Sequence, residues 1–471
     1  MLQKLPKSTY VLTIRLLFTG KQPRFCQFVQ LVKCSNLVKL VVLGEIMSKD
    51  KVVVGIDVGS TKVTTIIATC EEDSKVNVIG VSSVGAKGLR KGQVVDIDEA
   101  VASITQSLEA AERMAGYSVG TAFVSVDGIH IESQNSKGVV AVANPEGEIT
   151  IEDVNRVVEA ARAISMPSSR EIIHVIPRYF VVDSQGGIKD PIGMTGVRLE
   201  VDTHIITGAT TALRNIAKCI SQVGVDVEGM VFSGLASAYS VLTDTERELG
   251  VILVDFGGGT TNVCIFVDGA PAHCAVLPIG ARNVTNDLAI GLRISLDSAE
   301  KIKLSLSRPP KIAVEPQENN EAQKGKATDE LDVLSLGIEE DLRSVSKKTL
   351  ADGIIKPRVR EILNMVKIEI QKSGFGALTP SGVVLTGGGA ATTQITEIAK
   401  QELGMPTRLG MPQGATGLID DIASPAYAAS LGLVIYGASF QQENIRLPLV
   451  GRIEIKGIVI KGINLLKSVL P

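Results

Sequence analysis

Tryptophan is absent from this 471-residue chain, and phenylalanine and tyrosine bring the aromatic share to only 3%. A surface that stacks nucleobases needs aromatic planes, and broad nucleic-acid binding needs an excess of positive charge. With 48 basic against 51 acidic residues, the chain offers neither, so no nucleic-acid partner is expected. Its six cysteines form no CxxC pair and no regular framework, which excludes a disulfide scaffold and fits a reduced, cytoplasmic setting. The histidines (His130, His174, His204 and His273) are dispersed, which favours structural roles over a zinc site. No uninterrupted apolar run reaches the ~18 residues of a spanning helix, so any contact with a membrane is expected at its surface.

What is present is unevenly distributed. Residues 1–46 carry seven Lys or Arg against the single acidic Glu45, leaving a net charge of −9 for the remainder. This basic stretch resembles a transit peptide in composition but lacks a compact apolar core followed by a small-residue cleavage site. Met47 stands just ahead of a strong strand, so residues 1–46 are expected outside the fold, with a later start of translation as one reading.

Residues 51–70 read KVVVGIDVGSTKVTTIIATC, an apolar strand, a short polar turn and a β-branched strand. Residues 251–267, VILVDFGGGTTNVCIFV, repeat that plan and point to an internal duplication in two related lobes. Gly59, Gly257, Gly258 and Gly259 leave backbone N–H groups open to phosphate oxygens. Ser60, Thr61, Thr260 and Thr261 can add hydroxyl donors, and Lys62 a positive charge. Asp57 and Asp255, each at a strand end, are placed to hold the water shell of Mg²⁺ and to position water. A third element, residues 381–404, runs from an apolar strand into Gly387, Gly388, Gly389 and Ala390 and then a helix; it can seat an anion or a flat base. A Gly-rich hairpin alone is also consistent with an ordinary tight turn. Two with matching aspartates point to a phosphate clamp. Two small-residue helices, at 233–242 and 424–437, have the Ala, Ser and Gly needed to cross closely between lobes.

The chain ends in VGRIEIKGIVIKGINLLKSVLP. At about 100° per residue, Ile455, Ile458, Val459, Ile463, Leu465, Leu466, Val469 and Leu470 share an arc. Lys456, Lys461, Asn464, Lys467 and Ser468 fall opposite, while Ile453 and Ile460 break the pattern. Three readings fit: a last helix on the core, a hairpin through the two Lys-Gly pairs, or a helix lying in an anionic membrane surface.

The order hairpin, hairpin, strand–GGG–helix is that of the actin, Hsp70 and sugar-kinase ATPase superfamily. VVVGIDVGSTKV, DPIGMTGVRLEVDTHIITG, GLASAYSVL, ELGVILVDFGGGTTN, KPRVREILNMVKIEI and VVLTGGGA resemble the bacterial FtsA family, from about Val52 to Gly437. The resemblance implies an α/β, actin-like two-lobed ATPase fold with an α+β insertion in the first lobe and a C-terminal amphipathic helix. It implies ATP and Mg²⁺ as cofactors, places Glu300 and Lys303 near the ribose and adenine, and favours the membrane reading of the tail. Implied partners are the C-terminal tail of the tubulin-like FtsZ, whose filaments FtsA tethers, further copies of the chain in protofilaments, later division proteins and the anionic inner membrane surface. On this frame 47–87 and 169–249 form the first actin-like subdomain, 88–168 the SHS2-like insertion, 250–290 and 381–437 the second actin-like subdomain, 291–380 subdomain 2B, with a polar, mobile loop at 315–332, 438–449 a linker and 450–471 the membrane helix. Hsp70-like ATPases carry a glutamate in Glu-Pro-x-Ala before the linking helix. Here Ser233-Gly234-Leu235-Ala236 stands instead, so a general base is not evident and slow, regulatory hydrolysis is expected. A PilM-like pilus-assembly protein and a sugar or small-acid kinase remain as alternatives on the same fold; a chaperone would need more chain after Gly437.

Overall fold

The computed structural model describes residues 51–70, 75–144, 146–307, 329–331, 333, 336–338, 340 and 345–440, together with the backbone of a final helix to Arg446 and of three early strands. Those strands, Val11–Arg15, Phe28–Cys34 and Leu37–Leu43, form an antiparallel sheet within a separate compact unit, Met1–Lys51. The second unit, Val52–Pro471, holds everything that follows. The tail at 450–471 lies outside the described residues, as does most of the polar loop expected at 315–332. Residues 329–331 of that loop are anchored: Leu331 is buried and its N–H donates to the Val345 carbonyl at 2.9 Å. Among the described residues no helix is long and apolar enough to cross a membrane.

Two sheets repeat one topology. In the first, Lys51–Val58 is central, with Lys62–Cys70 and Val76–Gly85 on one flank and the parallel Thr121–Val126 and Asp226–Phe232 on the other. In the second, Val251–Phe256 is central, with Thr261–Val267 and Ala270–Leu277 on one flank and the parallel Val383–Thr386 and Thr407–Leu409 on the other. Such strands are covered on both faces, which is why their sequences are continuous apolar runs rather than alternating ones. Val251–Phe256 is buried at every position.

The insertion has different limits from those expected. Helix Ile97–Ala115, capped by Asp96 at one end and by Gly116 in the left-handed region at the other, belongs to the first lobe. Its Ala100, Ile104, Leu108 and Ala111 share a core with Val54, Ile56 and Val124, and Thr65 and Ser107 hydroxyls meet at 2.9 Å. Strand Thr121–Val126 is also in the first-lobe sheet, so 97–126 is not insertion. Conversely, Arg170–Val182, expected in the main sheet, pairs with Arg198–Ala209 in a separate antiparallel sheet with Glu132–Ala141 and Gln185–Ile188. Helix Ile151–Arg162 covers that sheet, opened by the Thr150–Asp153 capping box and contributing Val157 and Ala161 to a core with Phe180, Leu199 and Val201.

The last described helix also departs from expectation. Residues 438–449 were expected to be a linker, yet Ala428–Arg446 is one continuous helix. Gly437 does not end it, because its missing side chain makes room for the Phe123 ring and Val53. Phe440 packs edge-on to Phe123 at 5.9 Å between centroids. The helix thus returns the chain to the first lobe, as does Ala415–Gly417, which pairs with Val76–Gly85. Residues 381–437 are therefore shared between lobes. This helix crosses Ser233–Val241 so closely that any side chain at Gly432 would collide with the Ala236 carbonyl.

Candidate functional site

The two Asp-x-Gly turns are built alike. Gly59 N donates to the Lys62 carbonyl at 3.0 Å, and a Cβ on Gly59 would crowd that carbonyl. A Cβ on Gly257 would crowd the Thr260 carbonyl in the same way, while the Gly257 N–H donates to the Asp255 carbonyl at 3.2 Å. These two N–H groups, expected to be open to phosphate, are thus already engaged. The turns meet across the cleft. A side chain at Gly258 would collide with Thr61, and one at Gly259 would press on Ser60. Ser60 Oγ accepts the Gly92 N–H at 2.8 Å, which fixes the first turn on its own lobe. Thr261, by contrast, is fully buried and donates to the Ile279 carbonyl at 2.8 Å, so its hydroxyl braces the hairpin rather than facing the cleft.

Asp57 and Asp255 are buried at equivalent strand ends, each held by a serine. Ser125 Oγ donates to Asp57 Oδ1 at 2.7 Å and accepts the Val58 N–H at 2.8 Å. Ser237 Oγ, on the linking helix, donates to Asp255 Oδ2 at 2.6 Å. Burial raises both carboxyl pKa values, Asp255 to about 7, with the charges of Asp127 and Asp57 adding to the effect at Asp255. Lys62 feels both aspartates, which partly offset the loss of water that lowers its pKa, and its Nζ sits 3.9 Å from the centre of the Tyr427 ring. Neither Tyr427 nor the two serines was evident from the motifs.

A third aspartate was missed as well. Asp127 follows strand Thr121–Val126 and accepts the Thr260 hydroxyl from the opposite lobe at 2.5 Å. Burial raises its pKa, and the Asp57 charge adds to this. The signal was in the sequence: VDG here is another strand ending in Asp-Gly. Asn262, also buried, lies beside Asp127 and Asp255 and weakly opposes the rise of both carboxyl pKa values, while its Oδ1 has no partner among the described residues.

The glycine turn of the third element packs on the end of strand Val251–Phe256. Gly387, at φ +84°, would collide with Asp255 if it had a side chain, and Gly389 would meet the Phe256 ring. Gly388 faces outward, whereas Ala390 is buried. The helix expected directly after the glycines begins at Ile395, because a 3-10 turn, Gly388–Ala391, intervenes. Glu300 and Lys303 do come together. Lys303 Nζ donates to Glu300 Oε2 at 2.7 Å and to Thr285 Oγ1 at 2.9 Å, and the Thr285 hydroxyl donates to Glu300 at 2.6 Å. Thr285 lies one turn into helix Ala281–Leu292, whose first N–H groups, on Ala281 and Arg282, donate to the Gly257 and Gly258 carbonyls. The pair is thereby tied to the wall beside the second Asp-x-Gly turn.

A duplicated sheet with Asp-Gly hairpins facing across a cleft, crossed by two close-packed helices, is the actin-like architecture. The solved "PilM-PilN type IV pilus biogenesis complex" shares it, with a TM-score of 0.57 at 14% identity, covering 82% of this chain and 98% of that one. Residues 128–207 match the family model described as "SHS2 domain inserted in FTSA", and residues 252–432 match "Cell division protein FtsA". The cell division protein FtsA of Pseudomonas aeruginosa is 38% identical over 401 residues, 85% of this chain and 93% of that protein. Those of Bacillus subtilis and Escherichia coli K12 are 36% and 35% identical, covering 82% of this chain and 84% and 90% of theirs. The chain belongs to the FtsA family of cell-division proteins.

Proposed function

We propose that this chain binds ATP with Mg²⁺ between its lobes, polymerises on the cytoplasmic face of the inner membrane at the division septum, anchors FtsZ filaments there and recruits later division proteins. The observation that carries the nucleotide reading is the pairing of equivalent turns. Asp57–Gly59–Lys62 and Asp255–Gly257–Thr260 face one another, so phosphates bound by one lobe meet the other. Asp57 and Asp255 are buried at equivalent strand ends on the two lobes, and Mg²⁺ commonly keeps several of its waters when it binds with phosphates. Asp57 and Asp255 would hold that water shell, Lys62 and the N–H groups of Gly258 and Gly259 the phosphates, and Glu300, Lys303 and the Gly387–Gly389 turn the nucleoside side.

Membrane attachment falls to the amphipathic face at 450–471, and binding of many subunits along a filament compensates for the modest affinity of each helix. Co-sedimentation with anionic-lipid vesicles, with ATP and Mg²⁺, tests this on the full chain and on a version ending at Arg446, where the described helix stops. The full chain is expected to sediment with the vesicles and the shortened one to stay in solution. If both stay in solution, the tail is no anchor.

A further inference from the structure

Asp127 has no part in holding the phosphates or Mg²⁺ as assigned above, yet it stands where three elements meet. Its strand carries Ser125, which holds Asp57, and its own carboxylate reaches across to Thr260 Oγ1 at 2.5 Å. The other oxygen accepts the Gly128 N–H at 2.7 Å. Gly92, whose N–H fixes Ser60, lies so close that a side chain there would strike the Asp127 backbone. The carboxylate is thus oriented from behind and aimed at the second phosphate turn.

We propose that Asp127 is the positioning residue for the water that attacks the terminal phosphate of bound ATP. The inference rests on the ATP-binding reading above. Thr260 has one hydroxyl proton, and a phosphoryl oxygen arriving at its turn competes with Asp127 for it. When the phosphate takes that proton, the freed Asp127 oxygen accepts a hydrogen bond from water, and the water lies beside the phosphate because Thr260 does. Asp57 and Asp255 are assigned above to the water shell of the cation, which leaves Asp127 as the carboxylate beside Thr260. In the step, the water oxygen bonds to the terminal phosphorus while the bond from that phosphorus to the bridging oxygen breaks. The electron pair leaves on the diphosphate of ADP, and both water protons leave with the released inorganic phosphate. Asp127 orients the water and takes no proton, which suffices for a reaction governed by positioning.

The test uses the full chain with Mg²⁺ and γ-labelled ATP, comparing Asp127→Asn and Asp127→Glu with the parent. ATP affinity and single-turnover phosphate release are measured on the same samples. Asp127→Asn is expected to keep its ATP affinity within about threefold and to lose at least tenfold in release, with partial recovery in Asp127→Glu. Release at the parental rate in Asp127→Asn, loss of affinity in step with release, or no release from an ATP-loaded parent overturns the assignment and leaves the ATP-binding reading standing. A parent chain that binds no ATP overturns both.

Discussion

His174 sits buried on strand Arg170–Val182, and its Nε2 accepts the Phe232 N–H at 3.0 Å. That N–H lies at the entry to the linking helix Ser233–Val241, where no side chain supplies a cap. A ring nitrogen that accepts must be unprotonated, and burial, helped by nearby His204, lowers the pKa from 6.5 to about 3. The unfolded chain binds the proton near 6.5 and the folded chain does not. The contribution to stability is therefore complete above pH 6.5 and is lost as pH falls toward 3, by up to ~1.4 kcal/mol per pH unit. Urea unfolding between pH 7 and 5 is expected to fall off less steeply for His174→Gln, whose amide oxygen can accept the same N–H without titrating. Equal slopes for the two proteins would show that His174 is not excluded from protonation by the fold. The dispersion of the histidines along the chain gave no hint of the Phe232 N–H that gives His174 its role. Asp57, Lys62 and Asp255 could be read locally because each sits beside its own glycine turn. Asp127 carries the same strand–Asp–Gly wording, but the Thr260 hydroxyl that gives it meaning lies 133 positions away.

Among the elements, the crossing of Ser233–Val241 with Ala428–Arg446 is where substitution meets backbone rather than side chain. Adding a methyl at Gly432 improves helix propensity by ~1 kcal/mol but drives Cβ into the Ala236 carbonyl, and overpacking of this kind costs ~1–3 kcal/mol. The collision should win, because both partners are helix backbone and neither can turn away. Gly432→Ala is expected to lower the urea midpoint. Gly353→Ala, where no atom lies within 4 Å of the added carbon, should leave it unchanged or raised. A raised midpoint in Gly432→Ala would mean the helices slide apart at little cost. That the small residues serve this crossing was readable from composition alone. The limits of the insertion were not, for a physical reason: the apolar stripe of Ile97–Ala115 would suit either sheet, and the strand pattern of Arg170–Val182 does not say which strand it pairs with. Gly437 misled for a similar reason. A glycine that ends a helix and one that admits a phenylalanine ring look the same until the ring is placed.

At the scale of the whole two-lobed unit, duplication was legible because the same strand–Asp–Gly–strand wording occurs twice, and the sheets bear it out in matching strand order. What the wording could not give is how close the two turns come. Thr61 lies against Gly258, Ser60 against Gly259 and Asp127 against Thr260, so the lobes touch through the groups proposed to bind phosphate and to position water. A ligand gripped from both sides stabilises the closed unit by linkage, ~2.7 kcal/mol at a hundred times its dissociation constant. Gly258→Val tests whether that grip needs this approach. The added side chain collides with Thr61 at the cleft mouth, while the core beneath, through Val254 and Val263, is untouched. Without nucleotide the variant is expected to unfold within ~1 kcal/mol of the parent, since the lobes can part slightly at the cleft. With saturating ATP and Mg²⁺ the parent should gain several degrees in thermal unfolding, and the variant less than half of that gain. A full gain in Gly258→Val would show that one lobe holds the nucleotide alone, and the contact between the turns would then belong to closure rather than to binding.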